Sequence, residues 1–132
     1  MKRWAVDTNI LVRLLVKDDP VQLEKVIGAL AEGVFVVQTT VLLETEWVLR
    51  GVYGYGRSDI ATALADLLSL PDIHFVEEAR IMAAVSMHTR GMDFADALHL
   101  AGDHHADAFL TFDRHLAKRA LRNGSTVPVR LL

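Results

Sequence analysis

Residues 4–15 read Trp4-Ala5-Val6-Asp7-Thr8-Asn9-Ile10-Leu11-Val12-Arg13-Leu14-Leu15, and the hydrophobic period changes inside that stretch. Trp4 to Val6 is a short apolar run ended by an acid, whereas Ile10, Leu11, Leu14 and Leu15 recur at helical spacing, so a strand passes into a helix at Asp7-Thr8-Asn9. Asp18-Asp19-Pro20 opens a second helix, with Val21, Leu23, Val26, Ile27 and Leu30 as its apolar positions, and Gly33 closes it. Phe35-Val36-Val37 then reads as a buried strand. Thr39 or Thr40 can cap a helix to about Gly51, and Ser58 one to about Leu70, before Pro71. Ile73 to Val76 is a strand, Glu77 to Arg90 a helix, and Phe94, Ala97, Leu98 and Ala101 mark a helix ending near Ala106. Ala108 to Thr111, Arg114 to Leu121 and Val127 to Leu131 add a strand, a helix and a strand. Short strands alternating with helices predict an α/β three-layer fold with a short, mostly parallel central sheet flanked by helices, because parallel neighbours need crossover connections.

The chain has 132 residues, 52% hydrophobic and 23% charged, which excludes a disordered or low-complexity polymer. Without an internal repeat or a linker, residues 1–132 read as a single domain. No apolar run approaches the length a membrane span needs, and Met1 to Asp7 lacks the apolar region of a signal peptide, so a cytoplasmic protein with no membrane partner is expected. The absence of cysteine removes disulfides, zinc-thiolate sites and thiol nucleophiles. The net charge of −3 excludes a globally basic nucleic-acid binder but not a local basic surface.

Asp7 and Asp113 each follow a strand and precede a helix, and in a parallel sheet such positions share the carboxyl edge where ligand crevices lie. Capping the following helix explains either one alone. On the helix after Thr40, Val41, Thr45, Val48 and Val52 form one stripe, while Glu46 and Arg50 have the spacing of a solvated ion pair. Glu44 falls between that stripe and a second patch of Leu43 and Trp47, where an unpartnered carboxylate is costly. Asp96 lies in the first turns of its helix, favoured there by the helix dipole, and Asp93 caps that helix. Two carboxylates about 4 Å apart repel by roughly 4 kcal/mol at an effective dielectric near 20, so four such groups together would take up protons or a cation. Hard oxygen donors suit Mg²⁺ or Mn²⁺, and such a site can activate water for phosphodiester hydrolysis.

Asp7-Thr8-Asn9 after a strand, Glu44 in Leu43-Glu44-Thr45-Glu46-Trp47, Asp96 in Asp93-Phe94-Ala95-Asp96-Ala97-Leu98, and Thr111-Phe112-Asp113 together resemble the PIN-domain ribonucleases, and more narrowly the VapC-type toxins. The resemblance spans almost the whole chain. It implies an Mg²⁺- or Mn²⁺-dependent endoribonuclease acting as the toxin of a toxin–antitoxin pair. Asp7 and Asp96 match the principal metal ligands, Glu44 a ligand or water-orienting base, and Asp113 a second-ion or outer group. Thr8, Asn9 and Thr111 would hydrogen-bond those ligands or a phosphate, and Asp93 would support them from the same helix start as Asp96. The resemblance also implies a small VapB-like antitoxin that blocks the site, contact with DNA only through that antitoxin, and a homodimer. Leu43, Trp47, Tyr53 and Tyr55 are anchors for such an interface, unless they simply fill the core. Arg13, Lys17, Arg50, Arg57, Arg114, Lys118 and Arg119 are candidate contacts to the RNA phosphates.

Four other readings stand beside it. His104-His105, among six histidines, suggests a histidine nuclease, but adjacent helical residues diverge by about 100°; Asp103 with His99 gives only two zinc ligands. A phosphotransfer domain also uses acids at strand ends, yet Asp7-Thr8-Asn9 lacks a second aspartate. An RNA-processing nuclease without a toxin role, or a non-catalytic module that retains the acids, would carry the same residues.

Overall fold

The computed structural model describes residues 1–102 and 105–132; Asp103 and His104, and with them the His104-His105 and His99–Asp103 pairings, lie outside the described residues. In chain order the elements are β1 (Lys2–Ala5), α1 (Thr8–Val16), α2 (Pro20–Ala31), β2 (Gly33–Val37), α3 (Thr39–Gly51), α4 (Arg57–Ser69), β3 (Ile73–Phe75), α5 (Glu78–Thr89), α6 (Phe94–Ala101), β4 (Phe109–Thr111), α7 (Arg114–Arg122) and β5 (Val129–Leu131). The predicted α/β class, with short parallel strands and helices around them, is the class observed. The chain divides into two compact units, Met1–Glu78 and Ala79–Leu132.

In the first unit β1, β2 and β3 form a parallel ladder in that order, with Trp4 opposite Phe35 and Val37 opposite Phe75. Each parallel step is bridged by two helices, α1 and α2 before β2, then α3 and α4 before β3. Val34, Phe35 and Val37 are buried, as a parallel central strand requires, together with Leu11, Val12, Leu42, Leu49, Ile60, Leu64 and Leu67. Gly33 opens β2 because a Cβ there would stand 2.0 Å from the Lys2 carbonyl oxygen on β1. In the second unit β4 and β5 pair in parallel across α7, Phe109 opposite Val129 and Thr111 opposite Leu131. Its buried side chains include Ile81, Met92, Phe94, Leu98, Leu100 and Leu116. The Arg80 Nε donates to the Leu98 carbonyl at 2.9 Å, tying α5 to α6.

Several local expectations shift. Asp19 caps α2 and Pro20 is its first residue, as expected, but the caps of α3 and α4 are Gln38 and Gly56, neither with a side-chain bond. Thr39 is instead inside α3, its hydroxyl donating to Glu77 at 2.7 Å. Helix α6 stops at Ala101 rather than near Ala106, since Gly102 adopts an extended backbone with ψ 154°. In α2, Val21 and Ile27 are exposed and Val26 carries the burial. Strand pairing is divided between two ladders, so Asp7 follows a strand of one and Asp113 a strand of the other.

The largest correction concerns α3. Its buried face is Leu42, Thr45, Glu46 and Leu49, while Val52 is 65% exposed and Trp47 57% exposed. The face is turned by about one residue from the expected Val41, Thr45, Val48, Val52 stripe. Glu46, expected in solvent, is 3% exposed. Its charge is met by Arg50, whose Nε and Nη2 donate to the two carboxylate oxygens at 3.0 and 3.3 Å. The Thr45 hydroxyl is satisfied by the Val41 carbonyl at 2.8 Å. Two polar groups thus enter the buried face because each has a partner one turn away. Glu44, expected between apolar patches, is exposed.

Candidate active site

Within the first unit, Asp7 ends the β1 segment and caps α1, its Oδ1 accepting from the Ile10 amide at 3.4 Å. That bond occupies one oxygen and leaves Oδ2 for other chemistry. Thr8, the first residue of α1, is buried, and its hydroxyl donates to Glu44 Oε1 on α3. Glu44 is therefore fixed to the residue that follows Asp7, across 36 positions of sequence. Asn9 is exposed in the same helical turn.

Within the second unit, Asp93 caps α6 by accepting from the Asp96 amide at 3.2 Å, which sets the two acids one turn apart. Asp96 is half-buried. Its carboxyl is pushed above its ordinary value, first by burial and then by repulsion from Asp93 and Asp113, with His99 opposing weakly. Asp113 caps α7: Oδ1 accepts from the His115 and Leu116 amides at 2.9 and 3.1 Å. Its own amide donates to Thr111 Oγ1 at 2.9 Å, so the β4–α7 turn is held from both sides.

Capping and chemistry are thus not rivals for these aspartates. A cap bond orients the carboxylate and engages one oxygen, while the other stays available.

A model of the PIN domain matches residues 5–121, a span that contains Asp7, Glu44, Asp96 and Asp113. The chain belongs to the PIN-domain family. No curated protein and no solved structure matches it. PIN domains are generally nucleases that use divalent metal ions, so this chain is a nuclease-type hydrolase domain whose substrate class is nucleic acid. Among the described residues no helix is long and apolar enough to cross a membrane.

The donor chemistry of this PIN domain fits a hard divalent ion: the candidate side chains offer carboxylate oxygens, the chain has no thiol, and Asp96 sits among like charges that a cation would relieve. Among the described residues there is no group of three or more His, Asp or Glu side chains that could hold a metal ion. Asp7 and Glu44 belong to one unit, Asp96 and Asp113 to the other.

The basic candidates divide. Arg13 Nη1 pairs with Asp18 at 2.6 Å and Nη2 donates to the Tyr53 hydroxyl at 3.1 Å, while that hydroxyl donates to Asp18 at 3.3 Å. The bond to Tyr53, and next Asp18, push the guanidinium further above its ordinary value. This triangle joins α1 to the chain after α3 and engages two candidates, Arg13 and Tyr53, inside the fold. Arg50 is engaged by Glu46. Arg119 Nη1 donates to the Gly91 carbonyl, where φ is +115°. Lys17, Arg57, Arg114 and Lys118 are exposed. Of the interface candidates, Trp47 is exposed and Leu43, Tyr53 and Tyr55 are half-buried. Nothing in local periodicity marks the Arg13–Asp18–Tyr53 triangle, since its members are up to 40 residues apart.

Proposed function

We propose that this PIN domain is an endoribonuclease that works with Mg²⁺ or Mn²⁺, with Asp7 and Asp96 as principal ligands and Glu44 and Asp113 completing the acidic pocket. The observation that carries the reading is the family match over residues 5–121, which takes in all four acids in order. A divalent ion held by these oxygens would lower the pKa of a water and neutralise charge on the phosphoryl group. The chain's own residues do the rest. The cap amides of α1 and α7 orient Asp7 and Asp113, and the Thr8 hydroxyl orients Glu44. Burial, and after it Asp93 and Asp113, raise the Asp96 carboxyl above its ordinary value, and a cation held beside it would favour its ionised form. Asp93 and Thr111 act by positioning, through the Asp96 and Asp113 amides.

We further propose that the enzyme is the cytoplasmic toxin of a toxin–antitoxin pair, restrained by a small VapB-like antitoxin, and a homodimer; Trp47, exposed on α3, is the anchor best placed to meet a partner. The test is an assay of the free protein against total cellular RNA with cleavage ends mapped. Cleavage should need Mg²⁺ or Mn²⁺, and Asp7→Asn or Asp96→Asn should abolish it while the circular dichroism spectrum stays unchanged. Cleavage that persists in EDTA, or in both variants, overturns the mechanism. Expression without a partner should arrest growth; harmless expression of an active enzyme assigns it to RNA processing instead.

A further inference from the structure

Phe112 stands 81% exposed between Thr111, the last residue of β4, and Asp113, the cap of α7. Its position is not loosely held: the Asp113 amide bonds Thr111 Oγ1, and Asp113 Oδ1 bonds two amides of α7. A large aromatic ring is therefore kept in water by a turn fixed on both sides. Beyond it, Arg114, Lys118 and Arg122 recur at i, i+4 and i+8 on α7, all exposed, while Leu116 and Ala120 bury the opposite face. The cationic row is about 12 Å long, from eight residues at about 1.5 Å each.

We propose that Phe112 is a stacking platform for a base of single-stranded RNA next to the reacting phosphate, and that the Arg114, Lys118 and Arg122 row tracks the phosphates beyond it. This rests on the nuclease reading, since Asp113 is the immediate neighbour of Phe112. The chemistry of the surface selects the occupant. An open aromatic face beside a row of cations matches a polymer with π-faces and anionic linkers, and stacking accepts any base. A second copy of this chain meeting the face isologously would set cations against cations.

The test compares binding of a short single-stranded RNA with a base-free sugar–phosphate strand of the same length, in EDTA so that neither is cut. Phe112→Ala should weaken RNA binding roughly 5- to 150-fold and leave the base-free strand unaffected. Phe112→Trp should keep the affinity and gain a fluorescence quench on RNA that the base-free strand does not produce. Lys118→Ala should weaken both strands and reduce the slope of log affinity against log salt by about 0.7. No loss in Phe112→Ala, or an equal loss on both strands, overturns the stacking role. So does a wild type that sediments as a dimer and a Phe112→Ala variant that sediments as a monomer with unchanged RNA affinity, which gives the face to a second copy. A wild type that binds bases through Phe112 yet leaves RNA intact in Mg²⁺ and Mn²⁺ overturns the nuclease reading and keeps the stacking one.

Discussion

Replacing Arg50 by methionine separates a structural role from a substrate contact. The variant keeps most of the aliphatic stem and removes the guanidinium that faces Glu46 at 3.0 and 3.3 Å. Glu46 is 4% exposed at its side chain and Arg50 52%, so the pair lies between two regimes. Breaking a fully buried pair costs about 3–5 kcal/mol, and an exposed pair is worth about 0.2–1 kcal/mol. A buried carboxylate that loses a half-solvated partner should therefore cost about 2 kcal/mol. For 132 residues unfolding with about 2.1 cal/mol/K each, the transition entropy is about 0.28 kcal/mol/K, so Tm should fall by about 7 °C. Thermal melts of the wild type, Arg50→Met, Glu46→Gln and the double variant measure this as a cycle. The double variant should recover most of the loss, because the neutral amide no longer leaves a charge buried. An unchanged Tm in Arg50→Met alongside weakened RNA binding would refute the argument and return Arg50 to the phosphate contacts. A double variant as unstable as Arg50→Met would show that the lost interaction is not with Glu46.

Asp96→Asn should raise Tm at pH 7 in chelator. A carboxyl raised by burial and by Asp93 and Asp113 makes the native state bind its proton more tightly than the unfolded chain. That contribution is complete below the ordinary value of 3.8 and is lost as pH climbs from there through the raised native value, so the variant should flatten the stability profile across that window. The same variant should lose the stability that Mg²⁺ gives the wild type, about 2.7 kcal/mol at a hundredfold excess over Kd and read as a rise in Tm; a wild type with no such rise counts against metal binding. Thr8→Val removes the hydroxyl that holds Glu44 and should reduce cleavage roughly 10- to 100-fold, as loss of an outer hydrogen-bond partner does at metal sites, with little change in circular dichroism. Equal activity would show that Glu44 needs no support. Gly33→Ala forces a Cβ to 2.0 Å from the Lys2 carbonyl and should cost about 1–3 kcal/mol in urea unfolding; a neutral result would mean that β1 and β2 approach less closely.

What the residues determine by themselves is local. The order of strands and helices, the Asp19-Pro20 start of α2 and the placing of Asp7, Asp93 and Asp113 at helix starts follow from periodicity and capping, which involve neighbours within a turn or two. Tertiary structure decided which face of α3 is buried. The observed face, with Glu46 in it, is less apolar than the Val41, Thr45, Val48, Val52 stripe, and what makes it affordable is the partner each polar group finds, Arg50 for Glu46 and Val41 for Thr45. It also decided that Arg13 is bound up with Asp18 and Tyr53 and that Thr8 holds Glu44. These depend on segments tens of residues apart, whose meeting no helical wheel encodes. Burial and hydrogen bonding are properties of the assembled chain, whereas period and capping are properties of the strand or helix alone.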